Sequence, residues 1–221
     1  AKAVQYLVAA AEHAESQFAW GEAARLYGNV LAIAEDDPEA LREHDPAWLQ
    51  LALARAAAIA GEYRLAWRAI RLAATTFEKR ADPNGYVAIA GMVAGQGIWY
   101  PAREMAQLLQ QGLVFAGDGP GTVIPILSAL ISGSFRGTIS DAHREGFASR
   151  LQSLLIGSPN LDAEFFLGQM RAMDDLHTGR VDRALRRLRA LFPDSQSSDF
   201  AKLPERAQLL WALVMSGNLA E

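Results

Sequence analysis

The sequence predicts an all-α solenoid of about five helical hairpins followed by a terminal helix. Helix-length apolar patterns alternate with short stretches of Gly, Pro and Asp, and no segment shows the two-residue alternation of a β-strand. In addition, one local pattern recurs along all 221 residues at a nearly constant interval. A recurrence of this length is typical of a repeat protein.

The recurring pattern begins with a glycine. A bulky residue follows two positions later, an alanine comes three positions after that, and further apolar residues continue at helical spacing. The clearest copy is Gly61-x-Tyr63-x-x-Ala66-x-x-x-Ile70. The bulky residues of the six copies are Trp20, Tyr63, Trp99, Ile139, Val181 and Leu219, at intervals of 36 to 43 residues, and the Trp20 copy lacks the glycine.

Each copy is typical of the turn between two antiparallel helices. The glycine ends the first helix in the left-handed conformation, the bulky residue opens the second, and the alanine lets the helices approach closely. We expect first helices near residues 2–17, 46–60, 84–95, 122–133, 160–177 and 204–216, and second helices near 19–35, 62–80, 99–115, 139–156 and 180–192. Because stacking must cover the open face of each hairpin, residues 1–221 are expected to form a single repeat domain.

Composition argues against several classes of function. Without cysteine there is no disulfide, thiolate metal site or cysteine catalysis, and the four histidines are too scattered to form a metal site. No phosphate-binding Walker motif and no nucleophile–base pair can be recognised. We therefore expect no enzyme activity, no metal and no cofactor. The net charge of −4 and the absence of a long apolar run predict a cytoplasmic protein that binds neither nucleic acid nor membrane.

Three polar segments are interpreted as structural. Residues 174–177, Asp-Asp-Leu-His, are expected to be polar residues at a helix end, not metal ligands. The glycine-rich residues 117–122 lack the lysine of a phosphate cradle and are expected to be a loop between helices. Arg180, Arg183 and Arg187 share one helix face, which we expect to be a solvated outer face. Contact of these arginines with a nucleic acid or an acidic partner stays open as an alternative.

The hairpin pattern resembles the tetratricopeptide repeat (TPR) in its Gly, aromatic and Ala positions, with units longer than the usual length of about 34 residues. The long, Ala- and Arg-rich units and the opening AAAEHAESQFAWGEAARLYGNVLAIAE are similar to helical repeat domains of MalT-like, LuxR-type and SARP-type bacterial regulators and of AAA-type signalling ATPases. The resemblance implies a right-handed superhelix cut from a larger protein. It also implies a protein or peptide partner, with a small-molecule inducer as a further ligand class.

In tetratricopeptide arrays the first helices line the concave surface. By that geometry, the resemblance implies a partner-binding surface formed by Trp48, Leu51, Arg55, Phe166, Gln169, Met173 and Trp211. The surface would be apolar and aromatic, with Arg55 as a candidate anchor for an acidic group. The alternative for its aromatic members is burial in the core, where such side chains usually lie.

Three functions therefore remain open. The sequence favours an interaction or effector-sensing module of a multidomain regulator. A general assembly scaffold is the first alternative. An α-helical enzyme with a site between hairpins is the second, and it would require a convergence of polar groups that the sequence does not reveal.

Overall fold

A computed structural model describes residues 2–96, 100–132 and 137–191. This part of the chain contains ten α-helices and one short 3-10 helix, and it contains no β-strand. The α-helices are α1 Lys2–Ser16, α2 Trp20–Asp36, α3 Pro46–Ile59, α4 Tyr63–Arg80, α5 Pro83–Gln96, α6 Ala102–Phe115, α7 Pro120–Ile131, α8 Asp141–Gly157, α9 Leu161–His177 and α10 Val181–Leu191. The all-α prediction is confirmed, whereas the expected helix at 204–216 lies outside the described residues.

Two second helices begin later than the repeat pattern predicts. Pro101 has non-helical backbone angles, with φ −58° and ψ 100°, and precedes the first residue of α6. Ser140 caps α8 by accepting a hydrogen bond from the backbone N–H of His143, so that helix begins at Asp141 instead of at Ile139. The repeat pattern also did not predict the 3-10 helix Pro38–Leu41 between α2 and α3, where two apolar residues are buried.

The glycine turns at Gly61 and Gly179 form as predicted, whereas Gly97 and Gly217 lie outside the described residues. Gly61 and Gly179 adopt left-handed backbone angles, with φ of +84° and +74°. The residue after each glycine donates its N–H to the carbonyl of residue 57 or 175, at 2.8 Å in both turns. These bonds define a Schellman motif, which satisfies carbonyl groups left open at a helix end.

The first hairpin makes the same turn without glycine. Phe18 takes the left-handed conformation with φ +58°, and Ala19 donates its N–H to the Ala14 carbonyl at 2.8 Å. A side chain in this conformation costs about 1–2 kcal/mol. The turn is therefore set by the packing of the two helices and not by a local preference of residue 18.

The alanines of the pattern are buried in three copies. Ala23, Ala66 and Ala184 are completely buried. The fourth copy differs, because its Ala142 is exposed and the buried residues of α8 are instead Arg144, Ala148, Leu151 and Leu155. The later start of α8 at the Ser140 cap changes which residues of that helix face inward.

The chain forms two compact units, Ala1–Ile126 and Leu127–Glu221, and the division falls within α7. In the first unit α3 packs against both α2 and α4. In the second, α9 packs against α10 around a core of Ala172, Leu176, Ala184, Leu185 and Leu188. Whether residues 1–221 form one continuous domain with a right-handed superhelical path stays a prediction.

Candidate functional site

Helix α3 is the first helix of the second hairpin and provides the central candidate surface. Asp45 caps it by accepting a hydrogen bond from the N–H of Ala47 at 2.9 Å, and Pro46 occupies the first helical position. Most of the helix is buried, because it packs against neighbours on more than one side. We define the α3 stripe as its exposed and half-exposed residues at helical spacing, which are Trp48, Ala52, Arg55 and Ile59.

The α3 stripe exposes two large apolar side chains. Trp48 is 42% exposed and Ile59 is 43% exposed. They lie eleven positions apart, which places them on the same side of a helix of 3.6 residues per turn. Such a pair leaves apolar area in contact with water that a partner could cover.

Trp48 is also part of the packing of its own hairpin. Its ring contacts the ring of Phe77 on α4 edge to face, with centroids 5.3 Å apart. Phe77 is fully buried, and a Cβ added to Gly85 would lie 2.1 Å from its Cγ atom. The Trp48 ring is therefore held in place from behind while its outer part faces solvent.

Arg55 carries the charge at the centre of the stripe, and that charge is already paired. Its Nη2 donates to Oε2 of Glu15 on α1 at 2.5 Å, and this hydrogen bond raises the pKa of the guanidinium. Next to the pair, burial raises the pKa of Tyr27 to about 12, with a further contribution from the charge of Glu15. The Arg55 side chain remains half exposed, so its other N–H groups can still donate to a partner.

The other residues of the predicted surface are placed differently. Leu51 and Gln169 are buried, with 5% and 8% exposure. Phe166 is half-buried and contacts the ring of Phe165, and Met173 packs against the core between α9 and α10. Trp211 lies outside the described residues. The predicted role of these residues in binding a partner stays a prediction, but Leu51 and Gln169 present little surface to one.

Arg180, which directly precedes α10, and Arg183 and Arg187 on α10 converge on one buried carboxylate. Oδ1 of Asp175 accepts from Nε of Arg180 at 2.8 Å, and Oδ2 accepts from Nε of Arg187 at 2.9 Å. Nε of Arg183 lies 3.3 Å from the same Oδ2. The expectation of a solvated outer face was therefore incomplete, since these side chains are partly exposed but hold Asp175, which is only 4% exposed.

In residues 2–96, 100–132 and 137–191, no three His, Asp or Glu side chains come together in a way that could hold a metal ion. Within the same residues, no helix has the length and apolar character needed to cross a membrane.

Comparison with known proteins supports the fold and nothing finer. No model of a protein family matches the sequence, and no curated protein matches it. Among solved structures, the chain is similar to a thermophilic TPR protein from Thermus thermophilus, with a TM-score of 0.53 and 15% sequence identity. The similarity covers 96% of this chain and 99% of that one. The chain therefore has a tetratricopeptide-like helical repeat fold.

Proposed function

We propose that this chain is a protein–protein interaction module and that its partner binds across the α3 stripe. The observation that carries the proposal is the exposure of Trp48 and Ile59 on one side of a helix that is mostly buried. Helical repeat folds commonly use the surface of stacked helices for binding. Tryptophan is also among the residue types that contribute most to the energy of protein interfaces.

The partner that suits this stripe is an apolar segment with a hydrogen-bond acceptor near its centre. Trp48 and Ile59 would cover apolar side chains, and the free N–H groups of Arg55 would donate to a carbonyl or carboxylate between them. Since Glu15 already neutralises Arg55, we expect the affinity to depend only weakly on salt. This separates the proposal from binding of an acidic partner by the arginines of α10.

The experiment compares what three immobilised forms of the whole chain retain from cells that produce it. The forms are the wild type, Trp48→Ala combined with Ile59→Ser, and the control Leu72→Ala. Leu72 is 51% exposed on α4, so the control also removes exposed apolar area but leaves the α3 stripe intact. We expect a protein retained by the wild type and the control to be lost from the double variant. Equal retention by all three forms would refute the proposal.

We also propose the wider setting of a multidomain bacterial regulator, in which this module senses a partner or effector. The support is the resemblance of its long, Ala- and Arg-rich units to the repeats of such regulators. The complete gene provides the test. A Walker A motif upstream or a helix-turn-helix downstream would support the regulator, whereas the absence of both would favour a general assembly scaffold.

A further inference from the structure

A second candidate site lies in the unit Leu127–Glu221 and is independent of the α3 stripe. A cavity of about 260 Å³ opens between α8 and α9. Its lining residues are Asp141, Arg144, Glu145, Met170, Asp174 and Thr178. The volume lies just below the range of about 300–1,000 Å³ for drug-sized ligands, so the cavity suits a smaller molecule.

Arg144 is the unusual member of this lining. Its side chain is 3% exposed, because the residue lies on the buried side of α8 together with Ala148 and Leu151. Its Nη1 lies 3.6 Å from Oδ1 of Asp174 and 3.8 Å from Oδ1 of Asp141. Within the described part of the chain, Nε and Nη2 have no hydrogen-bond acceptor. A buried charged group with unused donors is costly, and an acceptor that reached them would remove that cost.

The unused donors define which group would be bound. Nε and Nη2 lie along one edge of the planar guanidinium, and that edge binds both oxygens of a carboxylate. Both atoms are closed off from solvent, so binding must turn the guanidinium until this edge faces the cavity. The short, paired geometry of such hydrogen bonds makes them stronger than neutral ones.

The remaining charges exclude a simple anion. Three carboxylates, those of Asp141, Glu145 and Asp174, line the same cavity, so with Arg144 its formal charge is −2 (one positive and three negative groups). An anion would be repelled by this charge, and a cation alone would leave the donors of Arg144 without an acceptor. A molecule with neighbouring carboxylate and ammonium groups would supply an acceptor to Arg144 and a positive charge to the three carboxylates. Met170 offers an apolar contact to the rest of such a molecule.

We propose that this cavity binds a free α-amino acid. Its carboxylate accepts hydrogen bonds from Nε and Nη2 of Arg144, and its ammonium group faces the carboxylates of Asp141, Glu145 and Asp174. The carboxylates of Asp174 and Asp141 lie 3.6 Å and 3.8 Å from the Arg144 guanidinium, so the positive and negative groups of the cavity are neighbours. This favours an α-amino acid over a zwitterion with a long spacer.

The test is calorimetric titration of the full chain with each standard L-α-amino acid. For an amino acid that binds, the corresponding amine without the carboxylate and the corresponding acid without the ammonium are titrated as well. We expect at least one amino acid to bind, and both truncated analogues to bind at least about tenfold more weakly, as loss of a charged hydrogen bond predicts. Binding of no amino acid, or equal binding of either analogue, would overturn the proposal.

Variants then locate the site. Arg144→Lys keeps the positive charge but removes the paired donors, and we expect it to weaken binding about tenfold or more. Because that variant changes a buried residue, Asp141→Asn serves as a second test at a position that is 94% exposed. Its matched control is Asp162→Asn, an exposed carboxylate in the first turn of α9 that does not line the cavity. Equal effects of the two Asn substitutions would place the ligand elsewhere.

Discussion

The second and the fifth hairpins share one turn but differ in the chemistry behind it. In α3–α4 the carbonyl that receives the Schellman hydrogen bond belongs to Ala57, and in α9–α10 it belongs to Asp175. Both residues are buried, one as a methyl group among apolar neighbours and the other as a carboxylate held by three arginines. The repeat pattern thus determines the backbone conformation of the turn but not which side chain is buried beside it.

The difference extends to the exposed faces of the two hairpins. α3 leaves apolar side chains in contact with solvent and carries a charge that Glu15 neutralises. α10 exposes arginines, but two of them, Arg183 and Arg187, already hold Asp175 together with Arg180 just before the helix. A cluster of basic residues in a sequence therefore does not by itself predict a binding surface, because the arginines can instead pair with a buried carboxylate.

The largest expected effect on stability comes from placing a buried carboxylate, like that of Asp175 in the fifth hairpin, at the equivalent position of the second hairpin. Ala57→Asp would bury a carboxylate that has no arginine partner, and we expect it to destabilise the fold by about 3 kcal/mol or more. Urea unfolding of the full chain measures this free energy. Ala60→Asp is the control, because it adds the same group at an exposed position of the same helix end. If both variants lost a similar free energy of unfolding, burial of the carboxylate at position 57 would not be the cause.

The reverse change should have a smaller effect. Asp175→Ala removes the shared partner of the arginines, which can regain water because they are partly exposed. We expect a loss of about 2 kcal/mol in the free energy of unfolding. Asp162→Ala, an exposed position on the same helix, is the control and should change it by less than about 1 kcal/mol. An unaltered urea midpoint for Asp175→Ala would show that the arginine contacts contribute nothing.

Acid should act selectively on the same hairpin. Burial alone would raise the pKa of Asp175, but hydrogen bonds from Arg180 and Arg187 and the charge of Arg183 outweigh it and lower the pKa below the ordinary value of 3.8. The ionised carboxylate therefore contributes stability that is fully present above that value and is lost as pH falls through the lowered pKa. We expect wild type to lose more stability than Asp175→Asn on acidification below about pH 4. If the free energy of unfolding fell equally with pH in wild type and Asp175→Asn, the ionised Asp175 would not contribute this stability.

The smallest expected effect is a gain of stability in the first hairpin. Phe18→Gly removes the cost of a side chain at φ +58°, partly offset by the greater freedom of glycine in the unfolded chain. We expect a gain of about 1 kcal/mol. Phe18→Ala is the matched control, since it removes the exposed ring but keeps the strained conformation. If alanine stabilises as much as glycine, the ring and not the backbone is responsible.

Much of the fold could be predicted because the glycine pattern and the helical spacing act locally. Three of the features that escaped depend on tertiary contacts. Phe18 adopts the left-handed backbone conformation that usually requires glycine, and the identity of the residue gives no sign of it. Asp175 lies five, eight and twelve residues before its arginines, a spacing that could have suggested a shared partner. Arg144 falls on the apolar stripe of α8, where a charge is unexpected.

The candidate surface was predicted only in part, because helical spacing permits steps of three or four residues. The resemblance placed Leu51 beside Trp48 and Arg55, whereas the exposed stripe passes through Ala52 instead. A step of three and a step of four differ by about 100° around a helix, and here that rotation separates the core from solvent. Only the packing of α3 against its neighbours decides between them.

Photo-crosslinking from both regions tests the functional account most directly. A benzophenone amino acid replaces Ala52 on α3 in one form of the full chain and the exposed Arg186 on α10 in another. After irradiation in cells, the account predicts a crosslinked partner protein from position 52 and none from position 186. Crosslinking from position 186 alone would contradict it, because the partner would then bind the arginine-bearing helix.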